Sequence, residues 1–209
     1  VFEDVATCVA FGPSGKLAAG GADNSVVLLD TRRAGRVAMR FEGHTKAVRG
    51  LAYVPGGKSI VTVSADRTMK MWVVATTQLE RSFGNHLRPV HAVAFRPHAK
   101  PPFCVTASDD KTVRVWQPTI GRMVRIVRGH GGPVFAVAFS PDGRRIFSIG
   151  KEGIGRIIDA DSDKVLNEWK AHDDWVYALA VGPMGRLATG DWRGTVKIWK
   201  VKDDKVFRR

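Results

Sequence analysis

Apolar and polar positions alternate in short runs along nearly the whole chain, and glycine, proline and aspartate part the runs. Residues 47–54 read AVRGLAYV, 59–65 SIVTVSA, 69–74 MKMWVV and 79–83 LERSF, with PGGK, DRT and ATTQ between them. A period of two sends successive side chains to opposite faces of a strand, and the breakers supply the backbone angles of tight turns. The pattern predicts four short antiparallel strands in a row. The last stretch repeats it as WVYALAV, LATGD, VKIWKV and KVFRR, so the expected fold is all-β.

The unit recurs in fixed phase. Histidine stands in Gly43-His44, Asn85-His86, Gly129-His130 and Ala171-His172, at steps of 42, 44 and 42 residues. A turn proline recurs at Pro13, Pro55, Pro97, Pro141 and Pro183, and a closing position at Leu29, Trp72, Trp116, Ile158 and Trp199. Together these markers define five repeats, at about 5–41, 43–83, 85–127, 129–169 and 171–208. Two extra residues in the third repeat fall at the KPP stretch, where a loop absorbs them. Phe41, Phe83, Val127 and Trp169 sit three residues before each histidine and read as the packed end of a fourth strand.

These markers, with the endings SADRTMKMW, SDDKTVRVW and WRGTVKIW, make the chain resemble the WD-repeat family over essentially its whole length. The resemblance implies a β-propeller segment, residues 1–209, whose four-stranded antiparallel blades number five here. It also implies a buried hydrogen-bonded set in each blade, in which a turn Asp accepts from a His and a Ser hydroxyl relays toward a Trp indole. Each such bond contributes about 1 kcal/mol net. Carried onto this chain, the sets are His44, Ser64, Asp66 and Trp72, then His86, Ser108, Asp110 and Trp116. The first repeat keeps Asp23 but has Gly21 and Leu29. The fourth keeps His130 but has Gly150, Glu152 and Ile158, so its set is expected to be largely lost. The fifth keeps His172 and Trp199, with Asp191 at the Ser position and Arg193 at the Asp position. The trio His44, Ser64 and Asp66 is not read as a hydrolase triad, because it recurs in the next repeat as scaffolding residues do and a nucleophile needs an exposed pocket with an oxyanion hole.

In the family, partners dock on one rim of the channel, formed by the loop before each innermost strand and by the tight turn after the second strand. Residues carried onto that rim are Arg49, His91, Phe135, Trp175 and Tyr177, then Asp109, Lys151 and Trp192, with Arg193 beside them. Aromatics beside an arginine are the usual makeup of a protein-binding hot spot. The other reading of the same aromatics is packing on adjacent loops. The expected function is a non-catalytic protein–protein interaction scaffold. The alternatives are a ribonucleoprotein component bound through a basic circumference, and a non-catalytic domain of a larger multidomain protein.

Composition adjusts this only at the margins. With 209 residues, 44% hydrophobic and 25% charged, the chain has ample material for a core. The net charge of +13 suits an acidic protein partner or RNA. Basic residues gather in TRRAGRVAMR, GRMVRIVRGH, PDGRR and KVKDDKVFRR, which are outer strands and turns. Lys70, Arg114, Arg156 and Lys197 share one position and read as a solvated strand face. No basic stretch is interleaved with aromatics as single-strand binders require. Cys8 and Cys104 lie in apolar runs without a C-x-x-C, so buried hydrophobes are expected, with a lean to an intracellular compartment. Cofactor motifs and an apolar run of about 18 residues are not found, so neither a cofactor nor a membrane span is expected. The start carries no signal-peptide pattern and no initiator Met, and reads as a cut within a longer product. Propellers of this family usually have seven blades, which leaves three arrangements: a piece of a larger propeller, a five-blade ring, or a propeller completed by a partner.

Overall fold

The computed structural model describes residues 4–33 and 36–208, with Ser14 described by its backbone alone. The middle of TRRAGRVAMR and the final Arg209 of KVFRR lie outside the described residues. The fold is all-β, with strands assigned in sequence order to five four-stranded antiparallel sheets, as five propeller blades require. No helix among the described residues is long and apolar enough to cross a membrane.

Two compact units divide the chain, Val1–Phe95 and Arg96–Arg209. In the first unit one sheet is β1 (Ala6–Phe11), β2 (Lys16–Gly21), β3 (Val26–Asp30) and β4 (Arg36–Phe41). A second is β5 (Val48–Tyr53), β6 (Ser59–Ser64), β7 (Met69–Val73) and β8 (Leu79–Phe83), and β9 (Val90–Phe95) follows. The second unit holds β10 (Cys104–Ser108), β11 (Val113–Gln117) and β12 (Arg122–Val127). Its two further sheets are β13 (Val134–Phe139), β14 (Arg145–Gly150), β15 (Ile154–Asp159) and β16 (Val165–Lys170), then β17 (Val176–Gly182), β18 (Arg186–Asp191), β19 (Val196–Lys202) and β20 (Lys205–Arg208). The four segments predicted over residues 47–83 are β5 to β8, each strand lying inside its predicted run.

Within each unit, a side chain from the row that precedes each histidine joins two successive sheets. Phe41 at the end of β4 meets Trp72 of β7 edge-on, with ring centroids 5.8 Å apart. Both lie in a core with Leu28, Val48, Leu51 and Ile60. In the second unit Trp169 of β16 meets Trp199 of β19 at 6.3 Å, in a core with Phe147, Ile149, Ile157 and Leu187. An edge-to-face aromatic pair adds about 1 kcal/mol beyond the area it buries. In these two pairs the fourth strand of one sheet finds its apolar partner in the next. Burial of Phe83 and Val127 completes the row.

The fourth sheet has a local solution of its own. Ile158 stands, fully buried, where three other repeats have tryptophan. Directly across the ladder from Trp169 is Gly155. A Cβ there would lie 2.3 Å from Trp169 Cζ2, so the indole rests on the bare glycine backbone. Forcing a methyl into this contact should cost about 2 kcal/mol, the usual scale of core overpacking. Gly155→Ala is therefore expected to lower the urea midpoint of unfolding, and an unchanged midpoint would refute this packing.

Candidate functional site

A directed chain of hydrogen bonds crosses the second sheet. The Trp72 indole N–H donates to Thr62 Oγ1 at 2.8 Å. Thr62 Oγ1 is 2.7 Å from His44 Nε2, and His44 Nδ1 is 2.7 Å from Asp66 Oδ2. With the indole donating, the threonine proton goes to Nε2, which leaves the Nδ1 proton for the carboxylate. Asp66 also accepts from the Thr45 and Thr68 N–H groups at 3.1 and 2.9 Å. Burial alone would raise the Asp66 carboxyl, but its bonds from His44 and Thr68 hold it far below the usual carboxylate range.

This corrects the expected relay. Ser64 does not reach the indole; its hydroxyl donates to the Lys46 carbonyl at 2.7 Å and accepts from the Asp66 N–H at 3.0 Å. The relay is the hydroxyl two residues earlier on the same strand, and it recurs as Thr106, Ser148 and Thr189. Trp116 donates to Thr106 at 2.8 Å, while Ser108 caps the Asp110 N–H at 3.1 Å. His86 is buried. A hydroxyl repeated at one fully buried strand position was the available sequence signal.

The fourth and fifth sets are also more complete than expected. In the fourth, His130 Nε2 is 2.8 Å from Ser148 Oγ and Nδ1 is 2.9 Å from Glu152, whose longer side chain stands in for aspartate. Gly150 takes the Ser position because a Cβ there would lie 2.0 Å from the Pro133 carbonyl oxygen. In the fifth, Trp199, Thr189, His172 and Asp191 form the whole chain at 2.9, 2.7 and 2.8 Å. Asp191 does the work of two residues, since its other oxygen accepts from the Arg193 and Thr195 N–H groups at 3.0 and 2.8 Å. The first sheet has Ala19 and Leu29 at the corresponding places, and Asp23 accepts from the Ser25 N–H of its own turn at 3.1 Å and meets Arg40 at 3.7 Å.

The shared basic position is not a solvated face. Arg114 and Arg156 are buried. Arg114 donates to Asp110 at 3.2 Å, and Arg156 to Glu152 at 2.9 Å and Glu168 at 2.6 Å. Lys197 donates to the Ala171 carbonyl at 2.7 Å, and Lys70 to Ser82 at 3.1 Å. Near Arg156, burial first and then the guanidinium charge push His130 down to about 4. Glu152, despite its own burial, is held at about 2 by bonds from Arg156, the Gly131 backbone and His130.

A bulge governs the rim residues. On β5, β13 and β17 the register skips one residue after the first pair, leaving Arg49, Phe135 and Tyr177 as the extra residues. A bulge bends its strand and re-aims the extra side chain. Beside it, the Trp192 N–H donates to the Trp175 carbonyl at 2.8 Å, and the Lys151 N–H to the Pro133 carbonyl at 2.9 Å. The second unit so gathers four rings. Phe135 stacks on Tyr177 at 4.6 Å, Trp175 lies 6.2 and 6.3 Å from those two, and Trp192 lies 5.8 Å from Tyr177. Trp175, Tyr177 and Trp192 stay 41%, 42% and 73% exposed. Lys151 Nζ sits 4.7 Å above the Trp175 ring, and Arg193 donates to Asp174 at 2.8 Å. Burial, then the charges of Asp174 and Asp109, raise the Tyr177 hydroxyl above its ordinary value. Asp174 is a member that the sequence reading missed. Arg49, exposed, and His91, half-buried, belong to the first unit.

The family model described as "WD domain, G-beta repeat" matches residues 3–30, 35–73, 77–117, 121–159 and 163–200. The chain belongs to this WD-repeat family. It is 40% identical over 93 residues to an uncharacterized WD repeat-containing protein of Synechocystis, covering 43% of this chain and 26% of that one. It is 34% identical over 82 residues to WD repeat-containing protein RUP2 of Arabidopsis thaliana, covering 38% and 22%. It is 41% identical over 56 residues to Pre-mRNA-processing factor 19 of rice, covering 27% and 10%. This WD-repeat chain therefore spans about a quarter or less of those relatives' lengths. Neither cysteine is in a disulfide, and no cluster of metal-ligating side chains occurs among the described residues.

Two outcomes follow for the WD-repeat sets. Thr62→Val strips partners from the buried indole and imidazole at about 1–3 kcal/mol each, whereas Ser64→Ala should cost only about 1 kcal/mol. Thermal unfolding should rank Thr62→Val as the more damaging; the reverse order would restore Ser64 as the relay. The second outcome concerns pH. His130 is held neutral in the fold but takes its proton near 6.5 when unfolded, so stability is full above that pH and falls as the pH drops toward about 4. The loss reaches about 3 kcal/mol, and His130→Gln should flatten this part of a stability-against-pH curve.

Proposed function

We propose that the chain is a non-catalytic scaffold that docks partner proteins through the aromatic patch of its second unit. Trp175, Tyr177 and Trp192 make the contact, Phe135 backs them, and Lys151, Arg193 and Asp109 flank them. One observation carries this reading: three aromatic rings, Trp175 and Trp192 on either side of a shared neighbour Tyr177, remain two-fifths or more exposed. Contiguous apolar surface is costly to leave in water, and aromatics near an arginine supply most of the energy at protein interfaces. The bulges at Phe135 and Tyr177 support it, because they turn side chains away from the strand pattern at the residues concerned. Membership of a family that generally binds proteins and is generally non-catalytic supports it further. Arg49 and His91 extend the role to the first unit.

The test compares the wild-type chain with a Trp175→Ala/Trp192→Ala variant as bait in the same extract. Both side chains are exposed, so the variant should keep its circular dichroism spectrum and lose the proteins that wild type captures. Undiminished capture overturns the proposal. Capture that depends on RNA and collapses between low and moderate salt would transfer the reading to a ribonucleoprotein component held through the basic outer strands.

A further inference from the structure

The first unit carries a second surface, built on different chemistry. Lys46 lies just after the His44 loop, and Arg67 lies in the turn just after Asp66. Three hydrogen bonds clamp these loops together. The Thr45 N–H donates to Asp66 at 3.1 Å, the Ser64 hydroxyl to the Lys46 carbonyl at 2.7 Å, and the Ala65 N–H to the Ala47 carbonyl at 3.0 Å. Arg67 is held at a φ of 73°, its N–H on the Ser64 carbonyl at 3.2 Å. The starting points of both basic side chains are therefore fixed by the buried set beneath them.

Lys46, Ala65 and Arg67, with Leu87, Arg88 and Pro89 from the loop before β9, line an open cleft of about 650 Å³. No carboxylate is among these lining residues, and that of Asp66, next to Ala65 and Arg67 in the chain, is engaged by His44, Thr45 and Thr68. Lys46 and Arg67 are exposed and form no ion pair among the described residues. Like charges on a rigid frame repel, and an anion placed between them relieves that repulsion. A guanidinium also binds a phosphoryl or carboxylate group through paired N–H donors. Leu87, 74% exposed, offers an apolar wall beside the charges.

We propose that this cleft takes an anionic side chain, a phosphorylated Ser or Thr or an Asp or Glu, on an extended segment of a partner protein. Lys46 and Arg67 hold the anion, and Leu87 meets an adjoining apolar residue. A peptide fits better than RNA, because no aromatic ring lines the cleft to stack a base. This surface does not rest on the aromatic patch.

The experiment immobilises the 209-residue chain and offers it degenerate peptide libraries whose central residue is phosphoserine, glutamate or alanine. Phosphoserine or glutamate libraries should be retained about tenfold over alanine, a difference that charge-assisted bonds readily supply. A preference for phosphoserine over glutamate assigns the site to the phosphoryl group, and equal retention assigns it to acidic segments generally. Lys46→Ala/Arg67→Ala should abolish the discrimination with an unchanged unfolding midpoint, and Lys46→Glu/Arg67→Glu should favour a lysine-centred library instead. Trp175→Ala/Trp192→Ala should leave it intact, which separates this proposal from the docking patch. Equal retention of all three libraries, discrimination that survives Lys46→Ala/Arg67→Ala, or tighter binding of a single-stranded RNA oligomer through the same residues would each overturn it.

Discussion

A buried hydroxyl has one proton to give, and the organisation of these repeats follows from where that proton goes. Thr62 accepts from an indole on one side and serves an imidazole on the other. That order leaves the imidazole's remaining proton pointing at Asp66, and the carboxylate in turn gathers the backbone of the tight turn. One strand, one loop and one turn are thereby joined through side chains, beside the backbone bond from Ala65 to Ala47. Interior dielectric makes each link stronger and each gap costlier than it would be in water. The fourth blade, which lacks the aspartate, places Glu152 and Arg156 beside His130 instead.

The repeats and their strands were legible because they rest on local rules: a period of two, turn residues at regular distances, and an aromatic at the close. The residues of the buried chain were only partly legible. Thr62 looks like any β-branched strand filler, and only its bonding distinguishes it from Ser64. Position counting also hid Asp191, because a motif records where a residue stands and not how far its side chain reaches. The buried Arg114 and Arg156 misled for a similar reason. A shared basic position read as a solvated face, whereas the turn carboxylate four residues earlier draws the guanidinium inward.

The rim residues show the same limit from the other side. Trp175, Tyr177 and Trp192 could be placed near one another by carrying the family's rim positions onto the repeats. The stacking of Phe135 on Tyr177 could not, because it depends on bulges that no sequence period announces. Clustering is thus a consequence of backbone irregularity inside an otherwise regular ladder. The charges follow suit: Lys151 lies over one ring and Arg193 is tethered to Asp174, so the patch is bordered by cations of fixed position.

The double use of Asp191 has a consequence for how such a repeat can change over generations. In the second repeat, residues 64 and 66 are both committed to holding the turn, so neither can vary without loosening it. In the fifth, one carboxylate satisfies the histidine and the turn together, and Arg193 takes part in the turn only through its backbone N–H. The identity of that side chain is thereby released from the demands of folding. A lineage can rewrite position 193, and Trp192 beside it, to follow a changing partner while the repeat beneath stays the same.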